Sequence, residues 1–177
     1  MSGKKFLKKT ATEEWVPLVD EKGKVTGQAP RSKVHDGSKL LHPVVHMHVL
    51  NATKAILLQK RPESKLIQPG KWDTAVGGHI SANETLEQAL KKEAYEEIGL
   101  KDFSAKLHKI YKWESEVEAE LVYLFTTFDS ENFKVHSDEV EEAKFWTGNQ
   151  IKKQLSKGIF TPNFEYEFEF LKQTGIV

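Results

Sequence analysis

The chain has 177 residues, and its 26 lysines and arginines balance its 26 aspartates and glutamates. This balance removes the attraction on which nonspecific binding to nucleic acids or membrane surfaces depends. Cysteine is absent, which excludes disulfide bonds, thiol nucleophiles and thiolate metal sites. No apolar stretch approaches the roughly 18 residues of a membrane span, and residues 1–10 lack the apolar run of a secretory signal. We expect a soluble cytoplasmic protein with no nucleic-acid or membrane partner.

A chain of this length can bury a core of its own, and we expect residues 1–177 to form a single domain with residues 1–12 as a flexible N-terminal segment. Apolar patterning and turn residues predict strands at 15–19, 25–29, 44–50, 54–59, 72–76, 107–113 and 119–128. Runs of helix formers predict helices at 83–98, 149–156 and 162–173. Because strands and helices interleave, the expected fold class is α/β, with a mixed β-sheet covered by helices.

The most informative stretch is residues 78–100, which read GHISANETLEQALKKEAYEEIGL. It places two glycines and four glutamates at fixed spacing: Gly78, Glu84, Glu93, Glu96, Glu97 and Gly99. At roughly 7% usage per residue type, six such positions coincide by chance about once in 10⁷ windows. The absence of glycine and proline from 83–98 predicts a helix there, with Asn83 as N-cap and Gly99 as the glycine that ends it.

Two of these glutamates continue the apolar stripe of the predicted helix. At about 100° per residue, the following side chains lie within roughly 60° of arc: Leu86, Leu90, Glu93 and Glu97. On an exposed helix face, the repulsion between Glu93 and Glu97 costs only a few tenths of a kcal/mol. On a core-facing stripe, desolvating both carboxylates costs far more unless a cation compensates. The pattern therefore favours a hard divalent cation, Mg²⁺ or in its place Mn²⁺, over a solvated acidic helix.

This spacing resembles the Nudix box, the signature of Mg²⁺-dependent hydrolases that cut diphosphate bonds. The resemblance implies a Nudix-type α/β/α sandwich and a small-molecule substrate in which a nucleoside diphosphate, or a similar diphosphate, is linked to another moiety. The implied metal ligands are the box carboxylates and a turn carbonyl, from Glu93, Glu96, Glu97 and Gly77. The implied catalytic base is Glu93 or Glu96, and Glu84 and Lys92 would orient these groups. Lys92 stands where the box usually has arginine, whose planar guanidinium can hold a carboxylate bidentately.

Outside the box, the chain resembles the isopentenyl-diphosphate-isomerase-like branch of Nudix proteins from about Glu14 to the last helix. The resemblance is carried by residues 14–20, 31–35 with 42, 57–61, 69–73 and 77–79. It implies a second metal site on His35, His42, His79, Glu118 and Glu120, with Glu114 and Glu116 as an alternative register for the glutamates. It further implies that the diphosphate is bound by Arg31, Arg61 and Lys65.

One departure from the isomerase pattern concerns the acid that protonates a carbon–carbon double bond. The cysteine that takes part in this proton transfer would fall at Gly77, and the chain has no cysteine to replace it. We therefore expect a hydrolase, with isoprenoid diphosphate isomerisation or non-catalytic diphosphate binding as alternatives. The sheet edges and the terminal helix could support a homodimer.

Several candidate residues also have ordinary structural explanations. The three histidines could be surface residues, and Arg61 and Lys65 could belong to a solvated loop. Trp72 could stack on the substrate or anchor its loop by burial. His46 and His48 lie two residues apart on a predicted strand and point to the same side, and we expect them to be ordinary residues of the sheet face.

Overall fold

The structure, a computed structural model, describes residues 13–128, 133–135 and 139–177. The segment 1–12, predicted to be flexible, lies outside these residues. The strands are β1 (Trp15–Val19), β2 (Val25–Pro30), β3 (Leu41–Leu50), β4 (Ile56–Lys60), β5 (Trp72–Thr74), β6 (Val76–His79), β7 (Lys106–Glu114), β8 (Ala119–Phe128) and β9 (Glu142–Trp146). The helices are α1 (Arg31–Val34), α2 (Leu86–Ile98), α3 (Gly148–Lys152) and α4 (Pro162–Gln173).

The main sheet is mixed, as predicted. β3 and β8 run parallel and are paired along their whole lengths, from Leu41 opposite Ala119 to Leu50 opposite Phe128. The other pairs in this sheet are antiparallel, in the order β5-β4-β3-β8-β7 with β6 on β3 and β9 on β4. β1 and β2 form a separate antiparallel hairpin.

One edge of β3 is shared by two strands. β6 pairs with β3 between Val44 and Met47, whereas β4 pairs with it only at Val49 and Leu50. β4 then diverges from β3 and pairs with β5. We call the opening between the β4–β5 pair and the β3–β6 pair the fork. The prediction of one strand at 72–76 is wrong, because at Ala75 the chain exchanges β4 for β3 as its hydrogen-bonding partner.

Helices cover both faces of the sheet. Val45, Met47 and Val49 of β3 pack with the buried side of α2 in one apolar cluster. On the opposite face, Leu50 packs in a second cluster with the apolar side of α4, which is contributed by Phe164, Phe168 and Leu171. Because side chains alternate along a strand, the even-numbered residues of β3 face α4. This arrangement confirms the predicted α/β fold with a mixed sheet between helices.

The ends of α2 depend on two local signals. Gly99 ends the helix in the left-handed conformation, with φ of 67°, as predicted. The N-cap is Thr85, and not Asn83 as predicted, because Thr85 and Gln88 form a capping box. Asn83 has a positive φ of 72° in the preceding turn.

Two further elements differ from the prediction. The helix predicted at 149–156 ends at Lys152 and is capped by Thr147, again through a capping box. β9 was not predicted, because its residues are only partly buried or exposed and show weak apolar alternation. It pairs with β4 over the five residues from Ile56 to Lys60.

Candidate active site and metal centre

The two stripe carboxylates of α2 lie against β6 at the fork. A Cβ atom on Gly78 would lie 2.1 Å from Cδ of Glu93, so only glycine lets this backbone contact the carboxylate. The N–H of Gly77 donates to Oε2 of Glu97 at 2.8 Å. The side-chain amide of Gln59 on β4 donates to the same oxygen at 3.1 Å. Glu97 is therefore held between the two arms of the fork.

Burial strongly affects the ionisation of these carboxylates. It raises the pKa of Glu93 to about 7, although the neighbouring Lys92 ammonium partly offsets the effect. Burial also raises the pKa of Glu97 to about 8, and the charge of Glu93 adds to this increase in spite of the N–H donor of Gly77. Two carboxylates with too little positive charge nearby form an oxygen donor set that suits a hard divalent cation.

The remaining box residues lie around this pair. Lys92 Nζ lies 3.1 Å from Glu84 Oε2 and 3.2 Å from Glu93 Oε1, so one ammonium joins two box carboxylates. The N–H of Ser81 donates to the same Glu84 oxygen at 2.9 Å. Glu96 is exposed on α2. For Gly77, the structure shows a contact between its N–H and Glu97, while the role of its carbonyl as a metal ligand stays a prediction.

Three histidines from separate elements form a second cluster. Their ring nitrogens, from His35, His42 and His79, lie within 4.8 Å of one another. His35 Nε2 lies 3.0 Å from His79 Nε2, and His35 Nδ1 lies 2.6 Å from Glu118. His42 Nδ1 donates to the carbonyl of Leu40 at 2.9 Å. In the neutral ring, its Nε2 then carries no proton and has a free lone pair. This Nε2 is buried and has no hydrogen-bond partner within the described residues.

Burial and nearby charge favour the neutral, metal-binding form of two of these imidazoles, those of His42 and His79. Burial lowers the pKa of His42, and burial together with the positive charge of Arg31 holds the pKa of His79 well below its usual range. A neutral imidazole is the form that binds metal ions. Glu118 and Glu120 are buried, and burial and the charge of Glu118 raise the pKa of Glu120 to about 7. Glu120 lies opposite His42 in the sheet.

The alternative register for the strand glutamates places them elsewhere. Glu114 forms ion pairs with Lys39 and Lys112 and is substantially exposed. Glu116 is also exposed. The structure therefore brings Glu118 and Glu120, and not Glu114 and Glu116, to the histidine cluster.

The basic residues predicted to bind diphosphate each have a carboxylate partner. Arg31 pairs with Glu14 at 2.9 Å. Arg61 pairs with Asp73 at 3.2 Å and donates to the carbonyl of Ile67. Lys65 pairs with an exposed glutamate, Glu139, at 2.7 Å. A bound diphosphate would have to compete with, or share, these partners.

Trp72 lies in the apolar cluster on the α4 side. Its side chain is buried beside Trp146, with ring centroids 5.2 Å apart, and the Lys144 ammonium lies 4.5 Å from the centre of its ring. This buried position favours the explanation that Trp72 anchors its loop. It leaves little of the ring to stack on a substrate.

A further buried group was missed by the sequence interpretation. Glu167 of α4 is fully buried, and it accepts hydrogen bonds from His46 and Tyr111 at 2.6 Å, from His48 at 2.7 Å and from Thr74 at 3.0 Å. We call these five residues the Glu167 cluster. The expectation that both histidines are ordinary sheet-face residues is wrong, because a buried carboxylate binds them. The only sequence signal was a glutamate on the apolar stripe of α4 between Phe164 and Leu171.

The charges inside the Glu167 cluster stabilise each other. Burial alone would raise the pKa of Glu167, but the charge and hydrogen bond of His46, with the hydrogen bond of His48, hold it well below its usual range. Burial likewise disfavours a charged His46, but Glu167 outweighs it and raises the pKa of His46 to about 9. His46 and Glu167 therefore form an imidazolium–carboxylate pair at neutral pH.

Residues 40–164, which include both arms of the fork and the carboxylates of α2, match the NUDIX domain family. The chain belongs to the Nudix hydrolase family. It is 30% identical over 156 residues to the uncharacterised Nudix hydrolase YfcD of Escherichia coli K12, covering 88% of this chain and 85% of that protein. It is 33% identical over 161 residues to the uncharacterised Nudix hydrolase lmo0368 of Listeria monocytogenes, covering 86% and 90%.

Solved structures share the fold at low sequence identity. The crystal structure of DR0079 from Deinococcus radiodurans superposes with a TM-score of 0.70 at 20% identity, covering 84% of this chain and 92% of that one. The Nudix domain of Shewanella oneidensis NrtR, solved with ADP-ribose, gives a TM-score of 0.61 at 16% identity, covering 75% and 86%.

The resemblance to the isomerase branch is narrower. The isopentenyl-diphosphate isomerase of Kocuria rhizophila is 36% identical over 94 residues, which are 53% of this chain and 52% of that protein. This match covers about half of each protein, whereas the matches to the two uncharacterised Nudix hydrolases cover most of both chains. Within the part of the chain that the structure describes, no helix is long and apolar enough to cross a membrane.

Proposed function

We propose that this Nudix hydrolase uses Mg²⁺ to hydrolyse a phosphoanhydride bond in a nucleoside diphosphate linked to another moiety, or in a similar diphosphate. The observation that carries the proposal is the placement of Glu93 and Glu97 at the fork, where the backbone of β6 contacts both carboxylates. Nudix hydrolases generally use a divalent metal, and these oxygens are the donors that Mg²⁺ or Mn²⁺ prefers. The bound metal would neutralise diphosphate charge and lower the pKa of a water molecule.

The protein groups then have distinct tasks. Glu93 and Glu97 hold the cation, and Glu96 and the carbonyl of Gly77 complete its site. Either Glu93 or Glu96 accepts the proton of the attacking water. Lys92 and Glu84 fix the orientation of Glu93 through the contacts of 3.1 and 3.2 Å that they share. Hydrogen-bonded neighbours of this kind typically change metal affinity or activity by 10- to 100-fold when they are removed.

The substrate class is supported by two features. Arg61 lies beside Asp73 at the β4–β5 arm of the fork, where a guanidinium can exchange a carboxylate for phosphate oxygens. Arg31 on α1 and Lys65 in the loop between β4 and β5 supply further cationic groups. The related Nudix domain of NrtR was solved with ADP-ribose, which is a nucleoside diphosphate linked to a second sugar.

The test is product analysis by mass spectrometry on nucleotide sugars, dinucleoside polyphosphates, nucleoside triphosphates and isoprenoid diphosphates, with Mg²⁺ and with Mn²⁺. Glu97→Gln is the control, since it keeps the shape of the side chain and removes its charge. We expect cleavage at a phosphoanhydride by the wild type and loss of most of it in the control. Equal activity of the two proteins would contradict the assignment of α2 as the metal site.

The histidine cluster supports a second metal site. Its donors are the imidazoles of His35, His42 and His79 and the buried carboxylates of Glu118 and Glu120, a mixed set that suits a transition metal better than Mg²⁺. The unpartnered Nε2 of His42 is the most specific sign of a missing ligand. Metal analysis after loading with Mn²⁺, Co²⁺ or Zn²⁺ should show one equivalent less in His42→Ala than in the wild type. Equal metal content would exclude the site.

The histidine cluster is the metal site implied by the resemblance to the isomerases, so isomerase activity is also tested. Conversion of isopentenyl diphosphate can be followed by NMR on the same protein. The glycine at position 77 provides no acid in place of the isomerase cysteine, so we expect no shift of the double bond. Binding of an isoprenoid diphosphate without cleavage or isomerisation would favour a non-catalytic binding domain.

A further inference from the structure

Gln59 is a buried polar residue of β4, with only 4% of its surface exposed. Its neighbours show which face of the sheet it occupies. Leu57 belongs to the apolar cluster that packs against α2, whereas Leu58 belongs to the cluster that packs against α4. Because side chains alternate along a strand, Gln59 lies on the α2 face together with Leu57. Gln59 therefore shares a face of the sheet with the glutamates assigned to the cation.

The amide nitrogen of Gln59 donates to both sides of the fork. Nε2 lies 3.1 Å from Oε2 of Glu97 and 3.3 Å from the carbonyl oxygen of Ala75. A backbone carbonyl only accepts hydrogen bonds, so the nitrogen of the amide, and not its oxygen, must face this pair. Ala75 is the residue at which the chain exchanges β4 for β3, and its carbonyl lies outside both ladders. Gln59 thus binds the backbone group freed at the fork and the Glu97 carboxylate together.

The hydrogen bonds to Glu97 fall on one of its two oxygens. Oε2 accepts from the N–H of Gly77 at 2.8 Å as well as from Gln59. Among the residues that the structure describes, none donates to Oε1, and this oxygen is not among the sealed polar atoms. Both donors to Oε2 are neutral, so they orient the carboxylate without placing a second positive charge in the site of the cation. Oε1 is therefore the oxygen left for a metal ion.

We propose that Gln59 is a positioning residue of the metal site, which holds Oε2 of Glu97 so that Oε1 is directed at the cation. The inference rests on the proposed function of the α2 carboxylates, because that proposal assigns Glu97 to the metal. Gln59 acts on the metal only through Glu97. Without the amide, the carboxylate keeps only the donor of Gly77 and gains freedom to rotate. Hydrogen bonds that orient a metal ligand in this way typically change metal affinity by 10- to 100-fold.

The first experiment measures Mn²⁺ affinity by electron paramagnetic resonance in the wild type and in two variants of β4. Gln59→Met keeps the length of the side chain and removes the amide. Leu58→Ala is the matched control, since it weakens packing of the same strand on the opposite face. At a temperature at which all three proteins are folded, we expect affinity about 10- to 100-fold weaker in Gln59→Met and changed less than about twofold in Leu58→Ala. Unchanged affinity in Gln59→Met, or equal weakening in both variants, would overturn the proposal.

The spectrum of the bound Mn²⁺ separates orientation of the ligand from stability of the fold. At saturating Mn²⁺, a variant that is merely less stable has the spectrum of the wild type. We expect an altered spectrum in Gln59→Met, because the carboxylate of Glu97 is no longer held in one orientation. The Glu97→Gln protein supplies the baseline for Mn²⁺ bound elsewhere. A wild-type spectrum in saturated Gln59→Met would overturn the positioning role.

The last experiment needs no variant of Gln59 and therefore does not depend on its folding. Side-chain amide resonances of the wild type are recorded by NMR with and without Mg²⁺. We expect the resonances of Gln59 to shift and those of Gln150, which caps α3, to stay in place. Mg²⁺ binding that requires Glu97 but leaves the Gln59 resonances unmoved would overturn this inference alone. If neither Mg²⁺ nor Mn²⁺ binding depends on Glu97, the inference fails together with the proposed metal site.

Discussion

Gly78 allows the backbone of β6 to touch a carboxylate of α2 directly. Any Cβ at this position would occupy the space of the Glu93 carboxyl group, 2.1 Å from its Cδ. At the neighbouring Gly77, a Cβ would make ordinary contacts of 3.6 and 3.7 Å with His46. The two glycines therefore have different roles, although both belong to the same short strand.

We predict that Gly78→Ala displaces Glu93 and weakens divalent cation binding about 10- to 100-fold, the range expected when the surroundings of a metal ligand are disturbed. Gly77→Ala should bind the cation nearly as the wild type does. Mn²⁺ affinity measured by electron paramagnetic resonance separates the two variants. Unchanged affinity in Gly78→Ala would show that Glu93 is not a ligand.

Sequence reasoning identified single residues well where a local pattern constrained them. Glu93 and Glu97 were predicted because helical periodicity places them on the core-facing stripe, and the structure has both in partly buried positions at the fork. Glu167 also lies on an apolar stripe, but its partners are on three strands, and His46 is 121 residues away along the chain. No local pattern indicates such a partnership.

At the level of elements, the Glu167 cluster connects α4 to both sides of the fork. Its carboxylate accepts from Thr74 on β5, from His46 and His48 on β3 and from Tyr111 on β7. The buried pair stabilises the fold only while His46 is charged and Glu167 is ionised. The groups whose charge acts on His46 include Glu167, Glu120 and Asp73.

The sign of the pH dependence follows from the two pKa shifts. Because the pKa of Glu167 is lowered in the folded state, its contribution is present above about pH 4.5 and is lost in acid. Because the pKa of His46 is raised from 6.5 to about 9, its contribution is complete below pH 6.5 and disappears as the pH rises through about 9. The pair is therefore most stabilising between these limits.

We predict that the free energy of unfolding of the wild type falls between pH 6.5 and 9.5 by roughly 3 kcal/mol more than that of His46→Gln, from the size of the shift of His46. Urea unfolding of both proteins at the two pH values measures this difference. Other titrating groups are present in both proteins and largely cancel. If the difference in the free energy of unfolding between the wild type and His46→Gln does not change with pH, His46 is neutral in the folded protein.

Elements were predictable where their signals are local. α4 was predicted with its observed bounds because Thr161 and Pro162 mark its start. β8 was also predicted with its observed bounds, from its β-branched and aromatic residues. The exchange of partners at Ala75 was not predictable, because it depends on where β3 and β4 separate and not on the residues of β5 and β6 themselves.

For the whole molecule, metal binding should act as a stabilising ligand. A cation at 100 times its dissociation constant adds about 2.7 kcal/mol to the folded state when it binds only there. For a chain of this size, that corresponds to an increase in Tm of about 5 to 10 °C. Differential scanning calorimetry with and without Mg²⁺ should show this increase in the wild type.

Glu97→Gln serves as the control for this measurement, since the amide keeps the contacts to Gly77 and Gln59 sterically feasible. We expect most of the Mg²⁺-dependent increase in Tm to disappear in this variant. An equal increase in both proteins would place the stabilising cation elsewhere, and the histidine cluster would then be the first site to examine.

The position of the fork along the chain affects the order in which the site can assemble during folding. β3, β4, β5, β6 and α2 all lie within residues 41–98, so the Glu97 contacts to Gly77 and Gln59 close loops of only 20 and 38 residues. The parallel partner of β3 begins at Ala119, and Glu167 lies 121 residues beyond His46. Contacts between distant parts of a chain are slow to form, because more chain entropy must be lost to close them. The carboxylates can therefore meet early in folding, while the Glu167 cluster is completed only when the last helix docks.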